Sequence, residues 1–371
     1  MKVMLYVHAL NGRGIASVVT CVAEVAAAGG HQVVIVANSV AERVEQGTGI
    51  GVVDLQSSER RTTPGIPGLR RALRSHRPDV LYAHGNGPAR AAVLATRGRA
   101  GRPYLVTVEH NHYSTYPWRF RRLRDLANRL LLPFADHVVG VAPEIVKDLE
   151  NLFPGVRGKT STIPPPFTRW SRAVELARAE VPDSWFREGD LPVVVSVANI
   201  HPRKDPETLV RAMVRVNEHS PTPTRLAIIG KPSDPELTAR LVDIAREAGI
   251  GEHVALLGFQ ANPLAYVARS SIFALTSRNE GMPIVLLEAM ALGVPIVSTD
   301  CPSGPRYLLE DGKYGELAPV GDAEGVAAAI LRLLNDPEHA RRLGQQGTAR
   351  VERFTPERIT EDYLGLLEQH P

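Results

Sequence analysis

The strongest limit on what this chain can become is the alternation of strand, loop and helix, read twice along its length. Residues 2–7 are an apolar strand, a glycine-bearing loop follows, residues 15–28 carry helical spacing closed by Gly29-Gly30, and residues 31–37 are apolar again. Strand, glycine loop, helix and strand within about 35 residues make a βαβ unit, which demands a parallel sheet covered by helices. The alternation continues through helix 69–75, strand 80–83, helix 88–97 and strands 104–108 and 137–141. A second cycle is read from strand 192–198, helix 206–217, strand 225–230, helix 236–248, strands 254–258 and 272–276, a helix opening at Pro283, and strand 295–298. Between the cycles lies Thr162-Ile163-Pro164-Pro165-Pro166-Phe167-Thr168. Three consecutive prolines can continue neither a helix nor a central strand, which makes this segment the hinge candidate. The expected fold class is α/β: two doubly wound domains facing a central cleft, with ligand at the carboxyl ends of the strands. The expected boundaries are 1–168, 169–352 and a closing segment 353–371, whose helix runs from Thr355-Pro356 to Leu367 and can cross back to the first domain.

The chain has 371 residues, 44% of them hydrophobic and 22% charged, enough for a core in each half. Cys21 and Cys301 lie far apart, offering neither a disulfide framework nor a metal cluster, as expected of a reducing compartment. Asn11-Gly12-Arg13-Gly14 interrupts the apolar opening after one short strand, and no later run approaches the length of a membrane span. The expectation is a soluble, cytoplasmic protein. Charge is divided unevenly: residues 1–168 hold 21 Lys and Arg against 12 Asp and Glu, while the rest hold 22 against 28. The basic half should attract something anionic. Its densest patch, Trp118-Arg119-Phe120-Arg121-Arg122-Leu123-Arg124, continues through Leu126, Ala127, Leu130 and Leu131 at helical spacing. A solvated amphipathic helix is the plain reading. A face for an anionic acceptor or for the inner membrane surface is the sharper one.

Glu280 and Glu288 frame the most informative run, Glu280-Gly281-Met282-Pro283-Ile284-Val285-Leu286-Leu287-Glu288. The first acid falls in a polar loop and the second inside an apolar helix, for which Pro283 suits the first position. The N–H groups of Gly281, Met282, Ile284 and Val285 would be free at the helix mouth and, with the helix dipole, form an anion site. A loop acid and a helix cap are the bland alternative. Against it stands Glu288, whose burial among Leu287, Ala289, Met290 and Ala291 is expensive unless it is partnered.

With these residues in view, the chain resembles the retaining glycosyltransferases of GT-B architecture known as family 4, or group 1. The resemblance covers nearly the whole length. It rests on Leu10-Asn11-Gly12-Arg13-Gly14, Arg77-Pro78-Asp79-Val80, Glu109-His110-Asn111, Pro202-Arg203-Lys204, Leu256-Leu257-Gly258, the Glu280 to Glu288 segment and Thr299-Asp300-Cys301-Pro302-Ser303-Gly304-Pro305-Arg306. It implies two Rossmann-like domains, the first on the acceptor side and the second binding a nucleotide-diphosphate sugar, with a UDP-sugar as the default donor. By resemblance, Glu288 would bind the ribose hydroxyls and Glu280 would face the donor sugar. Lys204 would neutralise the departing diphosphate, where charge grows most in the transition state. His110 would lie near the reacting carbon or the acceptor, unless it is only a structural loop residue. Gly230 and Phe259 would sit by the nucleobase, although Phe259 also reads as a core aromatic. Glycines 12 and 14, with Arg13, would form the acceptor-side loop.

Several positions depart from the family pattern. Asn199 stands where many relatives carry Arg, so a second cation on the diphosphate rests on Arg203. Arg13, Ala16 and Ser17 replace the frequent Gly, Glu and Arg, while Ala142 and Tyr307 replace a Ser and an acid. No Asp-x-Asp pair stands ready to hold a divalent ion on the diphosphate, so no metal and no cofactor are expected. The implied reaction is retaining transfer by front-face attack, onto a polysaccharide, lipid-linked or small natural-product acceptor. No nucleic-acid partner is expected. A nicotinamide dehydrogenase is disfavoured: Gly12-Arg13-Gly14-Ile15-Ala16-Ser17 lacks the third glycine, and Ala37-Asn38 ends its strand without a ribose-binding acid. A nucleotide-sugar epimerase and a non-catalytic nucleotide-sugar or carbohydrate-binding protein are the remaining alternatives.

Overall fold

The computed structural model describes residues 1–11, 14–41, 49–57, 62–115, 121–169, 172–182, 184–186 and 191–368. The chain divides into two compact units, Met1–Thr168 with Phe354–Pro371, and Arg169–Arg353.

The first unit is built on seven parallel strands: β1 (Lys2–Leu10), β2 (Gln32–Val40), β3 (Ile50–Asp54), β4 (Val80–His84), β5 (Tyr104–Glu109), β6 (His137–Gly140) and β7 (Thr160–Thr162). Their order is β3-β2-β1-β4-β5-β6-β7, so the winding reverses between β1 and β4, whose register pairs Val3 with Val80. Every residue of β4 is buried, as a sheet covered on both faces requires. Small residues close the packing of the first helix, Ile15–Ala28, where Ala16, Ala23 and Ala26 are buried. The closing helix Pro356–Glu368 belongs to this unit: the Tyr82 hydroxyl donates to the Tyr363 main-chain oxygen, and the two rings meet edge to face at 5.5 Å. Strands β3 and β7 are absent from the sequence reading. The segment read as a hinge is packed into this unit, with residues 163–167 buried and Phe167 N–H bonded to the Phe354 oxygen.

The second unit holds six parallel strands: β8 (Val193–Val197), β9 (Arg225–Ile229), β10 (Val254–Gly258), β11 (Ile272–Leu275), β12 (Ile296–Thr299) and β13 (Glu316–Ala318). Their order is β10-β9-β8-β11-β12-β13, with reversal between β8 and β11. Val194, Leu209, Met213, Leu226, Leu241 and Ile330 lie in one core cluster. Helices Ala323–Asn335 and Pro337–Val351, unread in the sequence, are capped by Asp322 and Asp336, whose carboxylates accept from Gly325 N and His339 N at 2.9 Å. At the end of β9 the chain passes so close to β8 that a Cβ on Gly230 would stand 2.1 Å from the Ala198 oxygen. Only glycine fits there.

Candidate active site

In a parallel doubly wound sheet the loops that leave the two strands flanking the reversal diverge and leave a crevice at their carboxyl ends. In the second unit those strands are β8 and β11. The loop after β8 ends in the turn Pro202–Lys204, and the loop after β11 carries Ser277, Arg278, Asn279 and Glu280. The two loops are tied together. Arg278 N–H donates to the Arg203 oxygen at 2.9 Å, Thr276 Oγ1 to the Asp205 oxygen at 2.9 Å, and the Arg278 guanidinium meets Asp205 Oδ2 at 2.9 Å. Asp205 itself holds a left-handed φ of 46° as it turns the chain into helix Pro206–His219.

This bracing brings Lys204 Nζ to 2.5 Å from Glu280 Oε1. The Glu280 side chain is 8% exposed and that of Lys204 21%. Ser277 Oγ donates to the same carboxylate oxygen at 2.6 Å, and Ser303 Oγ to the Glu280 main-chain oxygen at 2.5 Å. Helix Ile284–Ala291 starts one residue later than expected. Pro283 is its cap and not its first residue, because a ψ of 97° turns the chain out of the Glu280 loop before helical geometry begins. Gly304 holds that corner from below, where a Cβ would stand 2.5 Å from Pro283 Cδ. Among the described residues, none accepts from the N–H groups of Gly281, Met282, Ile284 or Val285, and all four residues are partly exposed. Four donors therefore gather at the positive end of the helix dipole.

Glu288 lies one turn further in and is 7% exposed. Desolvation raises its pKa, and Arg169 opposes the shift from 3.2 Å. Arg169 had no signal in the sequence, standing 119 residues before its partner. At the neighbouring strand ends, Asn199 Oδ1 accepts from Lys231 N–H at 3.0 Å, which joins the tips of β8 and β9. Arg203 is half-buried on the turn, its N–H donating to His201 Nδ1 at 3.1 Å. Phe259, after β10, is 61% exposed and so is no core aromatic; Lys231 Nζ stands 5.4 Å from its ring centre. The structure thus gathers Asn199, Arg203, Lys204, Gly230, Phe259, Glu280 and the helix mouth along one carboxyl edge of the second sheet.

The first unit has its own polar centre. His110 follows β5, and its Nε2 lies 3.3 Å from Nδ1 of His84, the last residue of β4. Burial depresses the His110 pKa to about 4, and burial together with the neighbouring His110 holds that of His84 well below the usual imidazole range. Glu109, 1% exposed, is pushed up to about 7 by desolvation, with a Tyr113 hydroxyl donating to it at 2.6 Å. Of the loop read as acceptor-side, Gly12 and Arg13 lie outside the described residues; Gly14 precedes helix Ile15–Ala28 with a φ of 53°. Trp118, Arg119 and Phe120 also lie outside the described residues.

The rest of the basic patch forms helix Arg121–Leu131, which is inverted relative to an ordinary surface helix. Arg124 and Asn128 are buried, while Leu123, Leu126 and Leu130 are 69%, 55% and 60% exposed. The inward residues join a polar network, in which Asn86 Nδ2 donates to Asn128 Oδ1 at 2.9 Å and the Arg124 guanidinium sits 4.9 Å from the Tyr113 ring centre. Among the described residues no three metal-ligating side chains are grouped to hold an ion, and no helix is long and apolar enough to cross a membrane.

Both units resemble known proteins. Residues 177–350 match the family Glycosyl transferases group 1, and residues 12–168 match Glycosyltransferase Family 4. The chain is 32% identical over 274 residues to the GDP-mannose-dependent alpha-(1-6)-phosphatidylinositol monomannoside mannosyltransferase of Mycolicibacterium smegmatis, covering 69% of each chain. It is 29% identical to the lipopolysaccharide core biosynthesis glycosyltransferase LpsE of Rhizobium meliloti, over 82% of this chain and 79% of that one. In fold it is similar to Anabaena HepE solved in complex with UDP, with a TM-score of 0.81 at 19% identity over all of both chains. Sucrose-phosphate synthase from Thermosynechococcus elongatus gives 0.80 at 20% identity over 99% and 98%. Two Rossmann-like units of the GT-B class and a match to both family descriptions lead to one conclusion: this chain belongs to the group 1 glycosyltransferases.

Proposed function

We propose that the protein transfers a sugar, with retention and without a metal ion, from a nucleotide-diphosphate sugar to an acceptor hydroxyl, and that the donor is a UDP-sugar. The observation that carries the reading is the Lys204–Glu280 pair beside four open N–H groups, with Glu288 one helical turn away. A cation and preorganised N–H donors stabilise the charge that a departing diphosphate gathers in the transition state. Glu288 accepts from the two ribose hydroxyls, which satisfy a carboxylate otherwise costly to bury. Glu280, with Ser277 donating to it, faces the donor sugar once Lys204 turns to the diphosphate. Asn199 leaves Arg203 as the second cation. Phe259 offers an exposed aromatic face to a base, and His110 serves the reacting centre. The UDP held by HepE supports the choice of base.

Melting temperatures against a panel of nucleotides and nucleotide sugars test the donor, because a ligand that binds only the folded state raises the melting point. UDP and UDP-sugars should give the largest shifts, in buffers with chelator as without. NMR of the product should show the anomeric configuration of the donor preserved. An inverted product, or a rate abolished by chelator, would overturn the mechanism; largest shifts with GDP would move the assignment of the base.

The inverted helix supports a second reading, that the protein docks on an anionic membrane surface, where a lipid-linked acceptor would be met. Outward leucines beside the exposed Arg122 and Arg129 offer apolar area to the bilayer boundary and charge to its headgroups. Replacing Leu123, Leu126 and Leu130 with Ser should abolish co-sedimentation with phosphatidylserine vesicles at low salt. Equal sedimentation of the variant, or none by the wild type, would refute this reading and favour a polysaccharide or small acceptor.

A further inference from the structure

The two histidines of the first unit stand in a geometry that decides where one proton sits. His84 is paired with Val108 in the parallel register of β4 and β5, which brings its ring beside His110. It is 1% exposed, its Nδ1 is 3.3 Å from His110 Nε2, and its Nε2 is buried with no partner among the described residues. The Tyr363 ring, 6.1 Å away between centroids, packs against His84, and its hydroxyl likewise has no partner. Burial keeps both imidazoles neutral near pH 7, so each carries a single N–H.

Two arrangements share the hydrogen bond. In the first, His84 donates from Nδ1 and leaves at Nε2 only an unpartnered lone pair. In the second, His110 donates from Nε2, which forces the His84 proton onto Nε2, where no acceptor waits. A buried donor left unsatisfied costs about 1–3 kcal/mol, and orphaned N–H groups are rarer in folded proteins than under-satisfied acceptors. The first arrangement wins. Its consequence lies on the far side of His110, whose Nδ1 then carries the proton and has no partner among the described residues.

We propose that His84 is a positioning residue that fixes His110 as the Nδ1–H tautomer, so that the ring offers the reacting groups a hydrogen-bond donor and not a basic nitrogen. The inference rests on the reading above that His110 serves the reacting centre. The partner of Nδ1–H is then an oxygen, of a sugar hydroxyl or of the phosphate. When the acceptor hydroxyl forms the new C–O bond and the sugar–phosphate bond breaks, the hydroxyl proton goes to the departing diphosphate oxygen and not to His110.

The test begins with long-range proton–nitrogen NMR of the wild-type protein labelled with 15N-histidine, the His110 signals being assigned by their loss in His110→Gln. A proton on Nδ1 of His110 is expected; a proton on Nε2 would overturn the proposal. The second arm compares His84→Leu with His84→Asn, whose amide nitrogen stands where His84 Nδ1 did and can still donate to His110 Nε2. Loss of one such hydrogen bond should cut kcat about tenfold in His84→Leu, with KM nearly unchanged and the His110 signal moved toward the Nε2–H form, while His84→Asn recovers most of the rate. Full turnover by His84→Leu would contradict the proposal. Should that variant fail to fold, the wild-type spectrum still decides. Wild-type turnover by His110→Gln would instead sink the role assigned to His110, a failure the tautomer measurement does not share.

Discussion

Replacing Lys204 with Met keeps the stem of the side chain and removes its charge, which isolates the ion pair at the heart of the candidate site. At the 2.5 Å separation of Nζ and Glu280 Oε1, an effective dielectric of about 20 gives a gross attraction of about 7 kcal/mol. Most of that is offset by desolvation, several kcal/mol for each ion. The Glu280 side chain is 8% exposed, so without Lys204 its carboxylate keeps chiefly the Ser277 hydroxyl. We expect Lys204→Met to lose about 3 kcal/mol, the lower end for breaking a buried pair, since the lysine itself is partly solvated. For a unit of about 150–250 residues that corresponds to a melting temperature lower by about 6–12 °C. The exposed pair Arg211–Glu207 is the control, and Arg211→Met should cost less than about 1 kcal/mol. Scanning calorimetry of Lys204→Met, Glu280→Gln and the double variant closes a cycle with a coupling of about 2 kcal/mol. Additive effects, or a fall no larger than the control's, would refute the reasoning. In the transfer assay the same variant should lose turnover far more than donor affinity, and an unchanged kcat would remove Lys204 from the mechanism.

Glu288→Gln should weaken nucleotide binding by about 2 kcal/mol, or about 30-fold, because a charge-assisted acceptor becomes a neutral one; unchanged calorimetric affinity would contradict the ribose role. In Gly230→Ala the added methyl meets the Ala198 backbone at 2.1 Å, so the tips of β8 and β9 must separate, and an unaltered melting point would show that this edge yields freely. Burial lifts the Glu109 pKa from the ordinary 4.5 to about 7. Because the folded-state value is the higher, its contribution to stability is present below about pH 4.5 and is lost as pH rises through about 7. Glu109→Gln should therefore gain up to about 3 kcal/mol relative to wild type between pH 5 and 8, and a melting difference independent of pH over that range would refute the assignment.

Much of the fold was legible because parallel strands buried on both faces read as continuous apolar runs: Val193–Val197 and Ile272–Leu275 announce themselves. The short edge strands Thr160–Thr162 and Glu316–Ala318 do not, since three residues, partly polar, carry no periodicity. Helix Arg121–Leu131 shows the limit of amphipathic spacing. Its stripe of leucines was visible, yet the pattern cannot say which face turns inward, and the buried network of Arg124 and Asn128 is tertiary information. The acids Glu280 and Glu288 stood out by their spacing and by the cost of burying a carboxylate. The cation beside Glu288 did not, because Arg169 reaches it only through the fold. His84 had one unused sign, a polar residue closing a strand otherwise fully apolar.

The most direct test of the account is amide hydrogen exchange of the whole protein, free and saturated with UDP, with GDP in parallel. If a diphosphate is held at the mouth of helix Ile284–Ala291, the N–H groups of Gly281, Met282, Ile284 and Val285, for which no protein acceptor is described, should slow markedly on binding, and Glu288→Gln should blunt the effect. Protection confined to other segments, with these four amides exchanging as fast as before, would contradict it.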